Sequence, residues 1–314
     1  MNVLLTPIGR RGYLAAAFKD ALQDIGLVIT ADMSPYAAGS QSGDHHVSLP
    51  ACDDPAYLSA LERVCLEHEI RMIFPLHDLE AYRLSLLRHE LPASVQVFTL
   101  TDAAAEQAWD KVQTAALAGS AGLRYPQTVV SRGHEALVVV KPRFGSASVN
   151  TSIVSLDSPE FEAALGRSEA AGVPVVVQEF IKGREFGLDV IGDIYGSYAG
   201  CLVREKLRMR AGETDAARIH SSDLLDDVAR GIHAITRHAG LIDCDLILNG
   251  DDWYLIDVNP RFGGGYPLSH AAGADVPGLL VASALGERVR PEHLAVHEGA
   301  VVAKQDSAVL VAFD

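Results

Sequence analysis

The sequence lacks the residues that a disulfide scaffold or a membrane span requires. Only 4 of its 314 residues are cysteines, and no two of them form a Cys-x-x-Cys pair. A disulfide framework is therefore not expected, and the thiols are predicted to be reduced and mostly buried. No apolar run is long enough to cross a bilayer, and no basic segment precedes an apolar one as in a signal peptide. We predict a cytoplasmic protein without a membrane partner.

Positive charge is also scarce. The 26 lysines and arginines face 41 acidic residues, which gives a net charge of −15. This balance disfavours a nucleic acid or an anionic membrane as partner, although a local basic cleft for a small anionic metabolite stays open. Hydrophobic residues make up 48% of the chain, as in ordinary globular proteins, and the length predicts two or three subdomains.

Strand and helix patterns alternate over the first hundred residues, and a different order of elements follows. Alternation of this kind predicts a parallel sheet with helices on both faces, an α/β fold. From residue 101 a helix is followed by strands that look mostly antiparallel, and the "NGDD" turn predicts a hairpin. The strands are predicted at residues 2–8, 28–30, 71–75, 95–99, 137–141, 152–156, 173–180, 186–194, 197–208, 241–248 and 253–258. The helices are predicted at residues 13–25, 76–87, 102–118 and 222–239.

A glycine-containing turn follows the first strand. An acid, Asp32, stands about 20 residues further on, which is roughly the layout of a dinucleotide site. The turn reads "GRRG" rather than G-x-G-x-x-G, and its two arginines occupy positions where the backbone must approach a pyrophosphate. An ordinary turn between strand and helix is the preferred interpretation.

Lys141 ends the apolar strand in "VVVKPRFGSASVN". A small-residue loop at 145–148 follows it, and a lysine beside such a loop suits phosphate oxygens. A surface lysine before a turn is the alternative.

The next segment, "VVVQEFIKGREF", offers an extended backbone and the apolar side chains Phe180 and Ile181 for an adenine ring. Glu185 could accept ribose hydroxyls, and the alternative is a solvated hairpin with an exposed acid.

Four cations stand at every second position of "REKLRMR". On a strand they share one face, and a row of like charges calls for anions opposite it. An anion-binding role and a solvated basic face are both compatible with the residues Arg204, Lys206, Arg208 and Arg210.

The segment "WYLIDVNPRFGGGYPLSHAAG" follows a strand with polar and glycine residues. Asp257 and Asn259 are two apart and share a face, and the hairpin brings Asp245 to the same cluster. Oxygen ligands without sulfur suit a hard cation such as Mg²⁺. Arg261 and the glycines at 263–265 would then hold an anion beside that metal, plausible as a transferring phosphoryl group.

These segments, in this order and with "DK" at 110–111, resemble the ATP-grasp superfamily and, within it, the carbamoyl-phosphate-synthetase large-subunit-like branch. The resemblance implies a Rossmann-like domain over 1–100, a small grasp subdomain over 101–172 and a C-terminal subdomain with the metal site over 173–314. It implies ATP with Mg²⁺, or with Mn²⁺, as cofactors. By resemblance, the cofactor-binding residues are Lys111, Lys141, Ser146, Glu179, Phe180, Ile181 and Glu185. By resemblance, the metal ligands are Asp245, Asp257 and Asn259, and the catalytic residues are Arg261, Arg208 and His220, with His220 near the phosphates.

The chemistry that the resemblance implies is an ATP-dependent ligation of a carboxylate to an amine through an acyl phosphate. Small-molecule substrates are the expected partners, and a homodimer is left open. Two departures bear on the site: Asp257 stands where the family often has glutamate, and the small loop is poor in glycine. Formation of carbamoyl phosphate and a non-catalytic nucleotide-binding role are the alternatives.

Overall fold

Three β-sheets organise the chain in the computed structural model, which describes residues 1–129, 137–145 and 150–311. The first sheet is parallel and has the order β3-β2-β1-β4-β5. Its strands are β1 (Asn2–Thr6), β2 (Val28–Asp32), β3 (His45–Ser48), β4 (Ile70–Pro75) and β5 (Gln96–Val97). Its helices are α1 (Gly12–Leu22), α2 (Tyr57–Glu67) and α3 (Asp78–Leu87).

This topology confirms the predicted parallel sheet and locates its ligand-binding edge. After β1 the chain forms β2 and then β3 on one side of β1. It then crosses to the other side of β1, where it forms β4 and β5. Ligands of open α/β sheets bind at such a reversal, beyond the carboxyl ends of the strands. In this chain that edge is formed by the loop after β1 and by the start of α3.

The predicted helix at 102–118 is two helices, α4 (Asp102–Trp109) and α5 (Thr114–Ser120). The break falls at Asp110, whose backbone is extended and whose side chain bonds to another element. Both helices pack against the third sheet. Residues 102–120 thus pack on that sheet, and the predicted start of a small subdomain at 101 stays a prediction.

The second sheet is small, antiparallel and ordered β7-β6-β8. Its elements are β6 (Leu137–Pro142), β7 (Ser152–Ser155), α6 (Pro159–Ala170) and β8 (Val175–Glu179). Ser158 caps α6 by accepting a hydrogen bond from the Phe161 amide. β8 pairs with β6, so the predicted boundary after residue 172 falls just before the last strand of this sheet; the division into domains stays a prediction.

The third sheet is antiparallel, with the order β13-β12-β9-β10-β11-β14. Its strands are β9 (Arg184–Gly192), β10 (Tyr198–Arg210), β11 (Glu213–His220), β12 (Gly240–Asn249), β13 (Asp252–Asn259) and β14 (Val301–Ala303). The helices that accompany it are α7 (Asp226–Thr236), α8 (Tyr266–Ala271) and α9 (Val276–Ala284). The hairpin between β12 and β13 is confirmed, with Gly250 at φ +61° in its turn.

Strand β11 was not foreseen, because residues 208–220 were interpreted as loops. Ala211 and Gly212 both have positive φ and turn the chain sharply, so that β11 returns along β10. One face of this sheet packs its apolar side chains against α4, α5 and α7. No helix of the described residues is long and apolar enough to cross a membrane.

Candidate active site

Charged side chains occupy the face of the third sheet opposite its apolar core. Asp245 lies directly across from Asp257, and Asp243 lies across from Asn259. Residues opposite one another, and residues two apart on a strand, share a face, so these four side chains lie together. The structure therefore brings the three predicted metal ligands to one place and adds Asp243 to them.

Two lysines from different parts of the fold approach Asp257. The Lys111 Nζ lies 3.8 Å from the Asp257 Oδ1 and donates a 2.7 Å hydrogen bond to the Gly145 carbonyl. The Lys141 Nζ donates to the Ile256 carbonyl at 3.3 Å. Both lysines are buried. Burial lowers the pKa of Lys141 and raises the pKa of Asp257, and in each case the opposite charge nearby acts against the shift.

An ion pair between two elements fixes Lys111. The Asp110 carboxylate accepts two bonds from the Arg143 guanidinium, at 2.7 and 2.6 Å. This pair lowers the pKa of Asp110 and ties the break between α4 and α5 to the end of β6. The Tyr125 hydroxyl also donates to the Lys111 carbonyl at 2.6 Å. Lys111 is thus held by the ion pair of its neighbour Asp110, by the Tyr125 hydroxyl and by the Gly145 carbonyl.

The oxygen donors suit a hard cation that brings further ligands with it. Asp257 and Asn259 line a cavity of about 10 Å³ with Trp109 and Gly145. The Asn259 Nδ2 donates to the Asp243 carbonyl at 3.4 Å, which leaves the amide oxygen for another partner. No group of three or more His, Cys, Asp or Glu side chains in the described residues could hold a metal by itself. This donor set fits Mg²⁺, which usually takes few carboxylates and completes its shell with water and phosphate.

A buried network of ion pairs lies next to this cluster. Arg204 binds Asp189 in a bidentate pair, and its Nη2 lies 3.2 Å from the Asp243 Oδ1. Arg261 pairs with Asp78 through Nε at 2.8 Å and Nη2 at 3.0 Å, and its Nη1 lies 3.6 Å from the Asp243 Oδ2. All five side chains are buried or nearly so. Arg261 thus joins the start of α3 to the charged face of the third sheet.

Asp243 is the point where the two arginines of this network meet. Burial raises its pKa to about 7, and the carboxylates of Asp245 and Asp189 act in the same direction. Arg204 and Arg261 oppose that rise. The same carboxylates help to keep both guanidinium groups charged, because they raise the pKa of each arginine against the effect of burial.

The glycine loop at 263–265 packs against this network. A Cβ on Gly263 would lie 2.3 Å from the Asp243 Cγ, and one on Gly265 would lie 2.9 Å from the Arg204 Nε. Two of the three glycines are therefore required by close packing. Gly264 borders a larger cavity, where a Cβ would lie 3.3 Å from the Glu213 Cδ.

The predicted basic stripe is neutralised by the chain itself. Arg204 is buried in the network, and the Lys206 Nζ donates to the Asp245 Oδ1 at 2.5 Å. Arg208 pairs with Asp215 at 2.7 Å. Arg210 pairs with Asp215 and with Asp306. The anions opposite the stripe are thus the protein's own carboxylates, and the structure does not bring Arg208 to the Asp257 cluster.

The structure also separates His220 from that cluster. His220 lies opposite Val203, and the register places Val203, Leu188 and Val258 on the apolar face of the sheet. Its ring lies 5.6 Å from that of Phe186, and its Nε2 lies 3.3 Å from the Glu205 Oε2. His220 thus lies on the face of the sheet opposite the Asp257 cluster, and its predicted place near the phosphates stays a prediction.

The predicted adenine segment connects β8 of the small sheet to β9 of the third sheet. The Glu179 amide donates to the Gln127 carbonyl at 3.0 Å, and the Phe180 amide donates to the Leu137 carbonyl at 3.2 Å. Those two amides are therefore already engaged. Ile181 is buried, and Glu185 is exposed at the start of β9. Ser146, predicted to bind the cofactor, lies outside the described residues.

Sequence reasoning missed Asp78, Asp189 and Asp243. Asp243 had a signal, because it stands two residues before Asp245 on the same strand. Asp189 had a weaker one, an acid inside the apolar run "GLDVIG". Asp78 looks like an ordinary acid in the first turn of a helix, and nothing in its neighbourhood indicates that it pairs with a residue 183 positions away.

Two protein-family profiles match the sequence. The profile described as "ATP-grasp domain" matches residues 108–265, half of the chain. The profile described as "PylC-like, N-terminal domain" matches residues 3–98. A search of curated proteins finds no match.

Several solved structures share the fold at low sequence identity. Pyruvate carboxylase from Rhizobium etli superimposes with a TM-score of 0.73 and 15% identity; the alignment covers 95% of this chain but 29% of that longer one. The biotin carboxylase domain of Hydrogenobacter thermophilus 2-oxoglutarate carboxylase, solved with MgADP, gives 0.71 and 17%, covering 96% and 73% of the two chains. An L-amino acid ligase from Bacillus licheniformis gives 0.68 and 18%, covering 93% and 76%.

Proposed function

This chain belongs to the ATP-grasp family, and on that premise we propose that it is an ATP-dependent carboxylate–amine ligase. In this reaction a carboxylate attacks the γ-phosphate of ATP to form an acyl phosphate and ADP. An amine then displaces phosphate from the acyl carbon. The described residues offer no nucleophile–histidine pair at the site, and the proposed reaction needs none, because positioning and charge neutralisation carry most of it.

The observation that carries this proposal is the convergence of Lys111 and Lys141 on Asp257. Two buried ammonium groups lie near one partly buried carboxylate, Asp257, because Asp245, the other carboxylate that acts on Lys141, is paired with Lys206. An uncompensated buried cation is costly unless an anion joins it. A polyphosphate supplies several negative oxygens, and the two lysines come from different elements, the break between α4 and α5 and strand β6, so they can contact it from two sides.

Asp257 and Asn259, with Asp245 across the hairpin, would hold Mg²⁺. The ion would neutralise phosphate charge and orient the γ-phosphate. Asp257 is shorter than the glutamate common in the family. Nothing in the donor set favours Mn²⁺, so we retain Mg²⁺ alone.

Arg261 would stabilise the transferring phosphoryl group with those of its N–H groups that make no other bond. One Nη2–H donates to Asp78, one Nη1–H donates to the Phe262 carbonyl, and the Nε lies in ion-pair contact with Asp78 at 2.8 Å. A guanidinium has five N–H groups, so one remains on each terminal nitrogen. Asp78 and Asp243 hold the group in place, which is the preorganisation that transition-state stabilisation requires.

The nucleoside would lie on the connection between the small and third sheets. Ile181 supplies an apolar surface, and its amide donates no hydrogen bond within the described parts of the chain. Glu185 shares the charged face with Gly187, which pairs with Asp245, and could accept the ribose hydroxyls. We do not include Arg208 or His220 in this mechanism, because their contacts lie elsewhere.

Two of the similar structures support the proposal. One is an L-amino acid ligase, and another was solved with MgADP. The latter is described as a dimer, and a homodimer of this chain remains a prediction, as does a cytoplasmic location. Formation of carbamoyl phosphate and a non-catalytic role remain the alternatives that an experiment must separate.

Amine-dependent release of ADP tests the proposal. Purified protein with Mg²⁺ and ATP is screened over pairs of carboxylic acids and amines, with mass detection of the condensed product. We expect one pair to give product, and Asp257→Asn to lower its rate at least a hundredfold. Asp252→Asn, on the same strand but paired with Arg124 at the surface, is the matched control and should retain activity. ADP release that needs no amine would favour carbamoyl-phosphate-type chemistry, and no ATP turnover with any pair would contradict the proposal.

A further inference from the structure

A cavity of about 660 Å³ lies beside the glycine loop. Its walls are the "GRRG" loop after β1, Gly264, the hairpin between β10 and β11, and residues 302–309 near the C-terminal end. It therefore lies at the ligand-binding edge of the parallel sheet. The sequence analysis assigned the two arginines of the "GRRG" loop to a structural turn, and both of them line this cavity.

The charged residues of this cavity are almost all paired with one another. Lys304 binds Glu213 at 3.0 Å, and Arg10 lies 3.6 Å from the same carboxylate. Arg210 binds both Asp215 and Asp306. Four cations and three carboxylates thus line the cavity, and the fourth cation is Arg11.

Arg11 has no carboxylate within ion-pairing distance among the described residues, and no hydrogen bond from its side chain. Arg10, the residue before it, has an exposed side chain (79%) and lies near Glu213, whereas Arg11 is only partly exposed. Burial lowers the pKa of Arg11, and the charge of Arg261 nearby lowers it further. The buried Tyr13 hydroxyl, two residues along, also has no hydrogen-bond partner. An unpaired cation and an unsatisfied hydroxyl therefore border the same cavity.

We propose that Arg11 and the Tyr13 hydroxyl bind a substrate carboxylate that takes no part in the reaction. This rests on the proposed ligase function. The reacting carboxylate must reach the phosphate beside Lys111, Lys141 and Asp257, and none of these residues lines the cavity. A carboxylate on Arg11 therefore belongs to the other end of a substrate whose reacting group passes the glycine loop.

Two kinds of substrate carry such a group. The amine substrate could be an amino acid, whose own carboxylate would lie on Arg11. The acid substrate could instead be a dicarboxylic acid, with one carboxylate reacting and the other on Arg11. In both cases a guanidinium gives two parallel hydrogen bonds to the carboxylate, with the phenol as a third donor.

The test compares each carboxylate with its neutral amide. One arm uses the twenty L-amino acids and their carboxamides as the amine, and the other uses dicarboxylic acids and their half-amides as the acid. In both arms we measure ADP release, and we measure binding separately by calorimetry, so that binding is determined without turnover. Arg11→Gln, Arg11→Lys and Tyr13→Phe are compared with Arg10→Gln, which removes the same charge from the same loop.

In one arm we expect the KM of the wild type to be about ten- to a hundredfold lower for the carboxylate than for its amide. This is the usual range for a charge-assisted hydrogen bond. Arg11→Gln should abolish that preference. Arg11→Lys should restore it in part, Tyr13→Phe should reduce it, and Arg10→Gln should retain it. The arm that shows the preference identifies which substrate carries the group.

Two results overturn the proposal. One is a wild type that binds and turns over carboxylates and amides alike in both arms. The other is a preference that Arg11→Gln retains in full or, if Arg11→Gln does not fold, one that neither Arg11→Lys nor Tyr13→Phe reduces. Failure of the ligase proposal is distinguishable, because it abolishes turnover with every pair while the calorimetric comparison still measures the Arg11 site.

Discussion

Replacing Lys141 by methionine should affect the free protein and the nucleotide complex in opposite directions. Lys141 is 6% exposed, and its ammonium has one hydrogen bond, to a backbone carbonyl at 3.3 Å. Asp257 is its nearest opposing charge, but that carboxylate also interacts with Lys111, which affects its pKa more strongly. The ligand-free protein therefore carries a cation that it solvates poorly.

The expected magnitudes follow from this environment. Methionine has a similar length and no charge, so the free energy of unfolding of the ligand-free protein should rise by about 1 kcal/mol. The ATP complex should lose a charge-assisted contact to phosphate, typically about 1.5–3 kcal/mol. That loss corresponds to a roughly ten- to hundredfold weaker ATP affinity. Adenosine, which has no phosphate, should bind the variant as it binds the wild type.

The assay measures urea unfolding without ligand and calorimetric binding of ATP with Mg²⁺ and of adenosine. Lys19→Met is the matched control, because Lys19 is an exposed lysine on α1 that pairs with Asp44 at 2.8 Å. This control should change neither the affinity for ATP nor the affinity for adenosine. Equal losses of ATP and adenosine affinity in Lys141→Met, or a large fall in stability, would show that Lys141 is a structural residue and would refute the reasoning.

Two further predictions concern the ion pairs. Arg261→Ala removes the partner of buried Asp78, so the free energy of unfolding should fall by about 3 kcal/mol. In the folded variant, kcat and kcat/KM should fall together while the dissociation constant for ATP changes little. Single-turnover kinetics and calorimetry measure these quantities. An unchanged kcat would remove Arg261 from the mechanism. The hydrogen bond from Arg184, followed by that from His220, lowers the pKa of Glu205 to about 2. A folded pKa below the unfolded one stabilises the protein above about pH 4.5, and this stability is lost as the pH falls toward 2. Glu205→Gln should therefore be less stable than wild type by about 2 kcal/mol at pH 7 and equally stable near pH 2 in urea unfolding, whereas a difference independent of pH would contradict the assignment.

Local pattern accounts for the parts of the site that lie within one or two neighbouring strands. Asp257 and Asn259 are two residues apart, and the turn before them fixes which residue of β12 lies opposite each. Period-two alternation and hairpin geometry act over short distances, so the sequence alone was enough to group them with Asp245. The parallel first sheet followed in the same way, from strands that alternate with helices.

The same local reasoning fails for the basic stripe and for β11. The spacing of Arg204 and Lys206 correctly puts them on one face, but it cannot say what lies opposite. The positive φ of Ala211 and Gly212 brings β11 back along β10, and with it comes Asp215, the partner of Arg208. A charge that looks available for a ligand in the sequence is neutralised once that neighbouring strand is in place.

The sequence by itself determined the type of each sheet, the hairpin with its metal-ligand candidates, and a lysine at the end of a strand. Only the tertiary structure decided which side chains meet: Lys111 with Lys141 at Asp257, and Arg261 with Asp78 across 183 positions. It alone showed that Arg10 lies near a carboxylate while the adjacent Arg11 does not. The physical reason is that periodicity and turn chemistry depend on adjacent residues, whereas burial and ion pairing depend on how separate sheets pack.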